Sequence, residues 1–435
     1  MFWIAVAVVG VIQLAMLAEA DWSLFDIRIY LDGGRAVFTD PSSLYTAQWQ
    51  GGWLFTYPTF SAVVFGVLGV LTEPIASAVI ILGGVLALSR VSYLISRGLL
   101  SGSTAARAVP PDLRTPAVFG AATVLLLLSA LSDPVRGTFG FGQVNLILTW
   151  LVVEDLLGFG ARRRGRGAGW IPGVLTGVAA GVKITPALLL IPRLLAGDWR
   201  AARNGALAWA GTVAVGAAVA PRETFDYFTR WLWDSSRPGP LWYQWNQSLT
   251  GTVHRLWGHD TELPPVWVLV KWVFLAAALG AGLFAATTLM RRGDRVGCLL
   301  VGSLTIHLVS PISWYHHLVL IPALVLWLLS AAIRWSGLWG ILLAGQAVLL
   351  AVTVIPGLYQ RVPHDGGGAE LHHSFAELLI GEAFPILGLS VLVTLACAVL
   401  DPAGRTGASP GPAGGRDGDS GGGPPTGRVA DSHAA

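Results

Sequence analysis

The chain has 435 residues, 54% of them hydrophobic and only 12% charged, where an average soluble domain carries about 25% charged residues. A formal net charge of +3 gives no basis for nucleic-acid binding, and Cys298 and Cys397, both inside apolar runs, imply neither a disulfide framework nor thiol chemistry. Runs such as 2–17, 60–71, 117–131 and 268–289 instead read as membrane helices, because about 20 apolar residues cross the hydrocarbon core. The fold class expected is an all-α polytopic membrane protein.

The first run, 2–18, has no Lys or Arg ahead of it, as a secretory leader would, so it reads as an uncleaved span. The segment 21–57 that follows is polar, rich in Gly and Trp, and carries Asp21, Asp26 and Asp32. It is too long for a plain connection, and its aromatics argue against disorder. It reads as a structured external loop with a catalytic or ligand-binding carboxylate.

Further spans are expected at 57–71, 75–96, 116–131, 143–159, 170–195, 204–220, 265–289, 296–309, 316–333, 336–356 and 382–400, giving about 11–13 in all. Lys183 and Pro186 interrupt the 170–195 run, making it a kinked helix or a short hairpin. Basic clusters at Arg162–Arg166, Arg193–Arg203 and Arg291–Arg295 are cytoplasmic by the positive-inside rule. Alternation then puts 132–142, 221–264, 310–316 and 357–381 outside. With the N-terminus inside, the basic loop 97–114 falls on the wrong side, which a re-entrant segment before residue 97 or a different start resolves. Residues 1–400 form one membrane domain, and 401–435, rich in Gly, Pro and Ser, read as a disordered cytoplasmic tail.

The external side collects the chemistry. To Asp26 it adds Asp133 and Arg136, then Gln143 and Asn145 at the mouth of the next span. The long loop contributes Trp242, Tyr243, Trp245, Asn246, Gln247 and Arg255, and a late segment contributes His316 and His317. Each residue type also has a plainer use. Asp caps helices, Trp forms interfacial belts, and Asn246-Gln247-Ser248 fits a glycosylation tripeptide. Lys183 is harder to set aside, since a cation in an apolar run costs about 2.5–3.5 kcal/mol unless it snorkels or pairs. Adjacent helical residues point about 100° apart, so His316 and His317 need not share a role.

At these positions the sequence resembles glycosyltransferase family 87, the polyprenyl-phosphate-mannose-dependent α-mannosyltransferases of actinobacteria. The resemblance is carried, in order, by Asp26 with Tyr30, Leu44-Tyr45, Phe55-Thr56-Tyr57-Pro58, Ser132-Asp133-Pro134-Val135-Arg136, Gly142-Gln143-Val144-Asn145, Lys183-Ile184-Thr185-Pro186, Asn246-Gln247-Ser248 and the stretch from Ser310 to His317. It covers roughly residues 20–330 and departs from the family pattern at Thr59 and Tyr315. The Tyr315 change, beside the His pair, leaves acceptor identity open.

The resemblance implies a GT-C architecture with its active site on the extracytoplasmic face of the cell membrane. It implies transfer of a hexose, mannose first, from a polyprenyl-phosphate donor to a lipid-anchored or glycan acceptor, with inversion to an α linkage. Such a reaction needs one base and cations for the leaving phosphate, and no metal or other cofactor. Asp26, His316 and His317 are the candidate bases. Arg136, Lys183 and Arg255 are the candidate phosphate ligands, and Trp242, Tyr243 and Trp245 the sugar-stacking platforms. Gln143, Asn145, Asn246 and Gln247 complete the binding set. A lipid or solute transporter and a GT-C enzyme using arabinose or glucose are the competing readings. The sequence leaves oligomeric state open.

Overall fold

The computed structural model describes residues 1–19, 22–102, 110–158, 171–335 and 337–401. Asp21, the Arg162–Arg166 cluster and the tail beyond Asp401 lie outside the described residues.

The described residues are helical throughout, apart from connections and short 3-10 turns. In chain order the helices are α1 (Phe2–Ala18), α2 (Phe25–Thr39), α3 (Thr59–Leu68), α4 (Glu73–Gly102), α5 (Pro111–Leu131), α6 (Asp133–Gly140), α7 (Asn145–Leu157), α8 (Val174–Val182) and α9 (Leu190–Leu195). There follow α10 (Trp199–Val219), α11 (Pro221–Thr229), α12 (Leu249–Trp257), α13 (Pro265–Arg291), α14 (Arg295–Val309), α15 (Ile321–Arg334), α16 (Gly337–Thr353), α17 (Phe375–Gly381) and α18 (Ala383–Ala398). By length and composition α4, α5 and α13 can each cross a membrane. So can two bent pairs taken as broken spans, α6 with α7 at 119° and α17 with α18 at 61°. Shorter apolar helices, α1, α3, α14, α15 and α16 among them, complete an all-α polytopic membrane protein.

Three local breaks shape the site. The interruption expected in the 170–195 run falls at Lys183, whose backbone is extended (φ −145°, ψ 122°), and the chain resumes as a 3-10 turn begun by Thr185-Pro186. Proline there removes the donor that would continue α8. The second break is the 119° corner between α6 and α7, which turns at Gly142 with φ +66°. A Cβ at Gly142 would lie 2.9 Å from Ile27, so only glycine lets α2 approach this corner.

The third is the start of α2, and it revises the reading of 21–57 as a loop: much of that segment is helix. Leu24, in the left-handed region at φ 50°, turns the chain into α2. Non-glycine residues adopt that region rarely, and near functional sites when they do. Backbone carbonyls of the corner accept the otherwise orphaned N–H groups of Leu24, Asp26 and Ile27: Gly140 at 2.9 Å, then Phe141 at 3.0 and 3.3 Å. The first turn of α2, with Asp26 in it, is thereby fixed to the corner that carries Gln143.

Charged groups also lie within the helical bundle, beyond the single Lys183 expected from sequence. In α7, Glu154 accepts from Arg90 at 2.8 and 3.0 Å, and Asp155 accepts from Arg193 at 3.1 Å.

Candidate active site

Asp26, Gln143, Asn145, Lys183, His316 and His317 come together around the α6–α7 corner. The connection between α14 and α15 wraps back onto α6. Thr138 Oγ1 donates to the His316 carbonyl at 2.6 Å, and Asn145 Nδ2 donates to the same oxygen at 3.2 Å. The Tyr315 ring packs on Gly137, where a Cβ would lie 2.6 Å from it. These contacts hold the two imidazoles with centroids 4.8 Å apart and planes at 90°.

The perpendicular pair faces two cavities. His316 lines one of ≈ 490 Å³, together with Asp26, Gln143, Tyr57, Tyr243 and Trp245. His317 lines a second, of ≈ 120 Å³, with Asn145, Lys183, Thr185 and His307 at its polar end and Leu148, Leu299 and Leu320 beyond.

A hydrogen-bonded chain fixes the groups between them. Tyr30 Oη donates to Gln143 Oε1 at 2.7 Å and contacts Tyr57 Oη at 3.0 Å. Because Gln143 Oε1 accepts from Tyr30, its Nε2 is the atom that faces His316 Nε2, at 3.4 Å. His316 Nδ1 is buried and has no partner among the described residues. On the other side, Lys183 Nζ donates to Asn145 Oδ1 at 3.1 Å and to His317 Nε2 at 2.9 Å, and lies 5.6 Å from the Tyr57 ring. An ammonium has three N–H bonds, so one remains for a ligand.

Electrostatics separates the candidate bases. Burial pushes the Asp26 carboxyl up to about 6, opposed by a Gln143 hydrogen bond and the charge of Lys183. Burial, reinforced by Lys183, holds His316 and His317 well below the usual histidine range, so both rings are neutral at pH 7.

The remaining candidates divide. Tyr243 and Trp245 line the larger cavity, and Trp53 and Trp314 join them there. Trp242 does not line it, and its Nε1 donates to Asp260 at 2.7 Å. Asn246 and Gln247 are structural braces. Asn246 Oδ1 accepts from Ser313 N at 2.9 Å and its Nδ2 donates to Leu241 and Pro311 carbonyls, while Gln247 Nε2 donates to Gln244 and Gly381 carbonyls. Fully buried and so bonded, Asn246 is no glycosylation acceptor.

Arg255, expected to hold phosphate, is buried in a bidentate ion pair with Glu382 and donates to the Trp242, Tyr243 and Asn246 carbonyls. It shapes the aromatic loop instead. Arg136 is exposed and lines neither cavity.

Two groups escaped the sequence reading. His307 lies within α14, its ring 6.5 Å from that of His317, with Nδ1 3.2 Å from Ser313 Oγ. A lone histidine in an apolar span was its only signal. Asp365 and Gly366 close the larger cavity from the connection before α17, a stretch with no residue pattern to mark it.

The sequence model of glycosyltransferase family 87 matches residues 55–311. A polyprenol-phosphate-mannose-dependent alpha-(1-2)-phosphatidylinositol pentamannoside mannosyltransferase of Mycolicibacterium smegmatis is 32% identical over 323 residues, 72% of each chain. A polyprenol-phosphate-mannose-dependent alpha-(1-2)-phosphatidylinositol mannoside mannosyltransferase of Mycobacterium tuberculosis is 31% identical over 364 residues, 79% of this chain and 81% of its own. No solved structure matches the chain. A family match over more than half the chain, with relatives covering most of it, decides for an enzyme over a transporter: the chain belongs to glycosyltransferase family 87 and is a membrane glycosyltransferase.

Proposed function

We propose that this enzyme transfers mannose from a polyprenyl-phosphate donor to a phosphatidylinositol mannoside acceptor, forming an α-(1-2) linkage, at an active site on the extracytoplasmic face of a GT-C fold. The observation that carries the reading is the perpendicular histidine pair between an aromatic-walled cavity and a cationic one. The donor's phosphate takes the cavity of Lys183 and His317, where the spare ammonium N–H meets a phosphate oxygen. The first isoprene units follow the apolar wall at Leu148, Leu299 and Leu320. The acceptor sugar takes the aromatic cavity.

In the reaction the acceptor hydroxyl attacks the anomeric carbon from the face opposite the phosphate. Asp26 takes the hydroxyl proton, the new C–O bond forms, and the old one breaks with its electron pair on the phosphate oxygen. The polyprenyl phosphate leaves as an anion beside Lys183 and needs no proton donor. No metal or other cofactor has a part in this scheme.

Asp26 is favoured as base over histidine on two grounds. It titrates near the working pH, where general-base catalysis is most effective. The His316 Nε2 lone pair, in contrast, faces the Gln143 amide. His316 then orients Gln143 and the acceptor.

The test is label transfer from radiolabelled polyprenyl-phosphate mannose to phosphatidylinositol mannosides, wild type against Asp26→Asn. The variant is expected to lose about 10²–10⁴-fold in turnover while remaining folded. Unchanged transfer by Asp26→Asn would move the base to a histidine.

A further inference from the structure

The larger cavity is closed by a segment to which the sequence reading gave no role. Asp365 and Gly366, in the connection between α16 and α17, line it together with Tyr243, Trp245 and Trp314, and they lie beyond the 55–311 stretch that the family model matches. The turn is held from several directions. Gly367 N and Ala369 N donate to Asp365 Oδ1 at 2.7 and 3.3 Å, and Gly366 N donates to the buried Glu370 at 3.2 Å. His364 meets Tyr243 edge-on and Trp245 at a tilt, with centroids 6.5 and 6.0 Å away, while His373 Nε2 sits 2.7 Å from the Pro363 carbonyl. Gly366 and Gly368 adopt φ +68° and +112°, which the turn needs and other residues resist.

We propose that Asp365 is the specificity-determining residue for the acceptor, its Oδ2 accepting a hydrogen bond from a hydroxyl of a pyranose lying against Trp245 and Trp314.

The proposal rests on the mannosyltransferase reading and adds to it the group that reads the sugar. Two features of the cavity suit a carbohydrate. Aromatic faces take the C–H side of a sugar ring, and a fixed carboxylate oxygen takes a sugar hydroxyl through a charge-assisted bond. The two acids in the cavity also stand in opposite environments. Asp26 is raised by burial, whereas Asp365 is held below the usual carboxylate range by the backbone N–H groups around it. One suits taking up a proton, and the other suits staying an anion that only accepts hydrogen bonds. Because Oδ1 is engaged by the turn, Oδ2 is the oxygen open to a ligand.

The experiment compares wild type, Asp365→Asn and Asp365→Ala by two readouts. The first is binding of a water-soluble α-linked mannobioside, followed by quenching of tryptophan fluorescence in detergent-solubilised enzyme. The second is the acceptor KM in the transfer assay. Asparagine keeps the Oδ1 acceptor and hence the turn, so it separates the charge from the fold. Both variants are expected to bind the mannobioside at least about fivefold more weakly and to raise acceptor KM by about the same factor. Donor KM is expected to stay level, the loss falling on KM rather than kcat.

Equal mannobioside affinity in all three proteins, or no binding by wild type, overturns the proposal. Weakening in Asp365→Ala alone assigns Asp365 to the turn and also overturns it. Sugar binding that depends on Asp365, in an enzyme that does not transfer mannose, would retain this inference and remove the donor assignment instead.

Discussion

The two ends of α7 carry similar residue types in opposite circumstances. Thirteen helical residues separate them by about 18 Å. At the Leu157 end both acids of the helix are matched by described partners. Glu154 receives two bonds from Arg90 and one from Trp150, and Asp155 receives Gly173 N, Thr176 Oγ1 and Arg193. At the Asn145 end the groups are left with capacity: His316 Nδ1 has no partner among the described residues, and Lys183 keeps an N–H. Asp26 and Lys183 influence each other's charge, yet no ion pair joins them among the described residues. Buried polar groups left unsatisfied destabilise a fold. Polar capacity left open beside a cavity is what a ligand site requires, and charges matched to partners are what a structural clamp requires.

That contrast predicts opposite responses to substitution. At the open end, Asp26→Asn is expected to lose turnover by about 10²–10⁴-fold and yet raise the thermal midpoint at pH 7.5. The sign follows from linkage. The folded protein holds the Asp26 proton up to about 6, whereas the unfolded chain releases it near 3.8. Native stability from this group is therefore full below pH 3.8 and falls as pH rises through 6. The advantage of the amide should shrink as unfolding is measured toward pH 4.

At the closed end, Arg193→Met leaves Asp155, a fully buried carboxylate, without its cation. The expected loss is about 3–5 kcal/mol of stability, seen as a lower unfolding midpoint in detergent. Enzyme that remains folded should show an unaltered acid limb in its pH–rate profile.

A smaller effect tests the hinge between the cavities. Gln143 lowers the Asp26 pKa by hydrogen bonding, so Gln143→Ala is expected to move the acid limb of kcat/KM upward from about 6. Activity would fall more at pH 6 than at pH 8. A limb that stays in place would detach Asp26 from the profile.

Much of this was legible in the sequence, because it depends on residue type. Apolar density revealed the membrane helices, and a cation followed by Ile184-Thr185-Pro186 marked the break in α8. Asp26, Gln143, Asn145, Lys183 and the His pair were found through their local patterns, and they do meet at one corner. What escaped depended on partners distant in the chain. Arg255 looked like a phosphate ligand because nothing near it in sequence reveals Glu382, 127 residues away. The Tyr315 departure suggested a changed acceptor pocket, but the ring lies behind Trp245, packed on Gly137. Asp365 belongs to no motif, and only the fold brings it to the cavity.

The smallest expected effect is the most direct check on how position along α2 assigns roles. Asp26 and Asp32 sit on the same helix, six residues apart, and composition alone treats them alike. Six residues at 100° each turn the helix by about 600°, which leaves the two side chains about 120° apart around the axis. Asp26 therefore faces the corner and the cavity. Asp32 faces outward, 3.4 Å from Arg35 and 3.2 Å from Gln50 Nε2. An exposed pair of that kind contributes about 0–1 kcal/mol, and surface substitutions usually stay within about 0.5 kcal/mol. Asp32→Asn should accordingly leave transfer rate and pH profile as in wild type and move the unfolding midpoint by no more than a degree or two. A large loss of turnover in Asp32→Asn would mean that α2 rotates when substrate binds, and Asp26 would no longer be the acid that its place in the corner makes it.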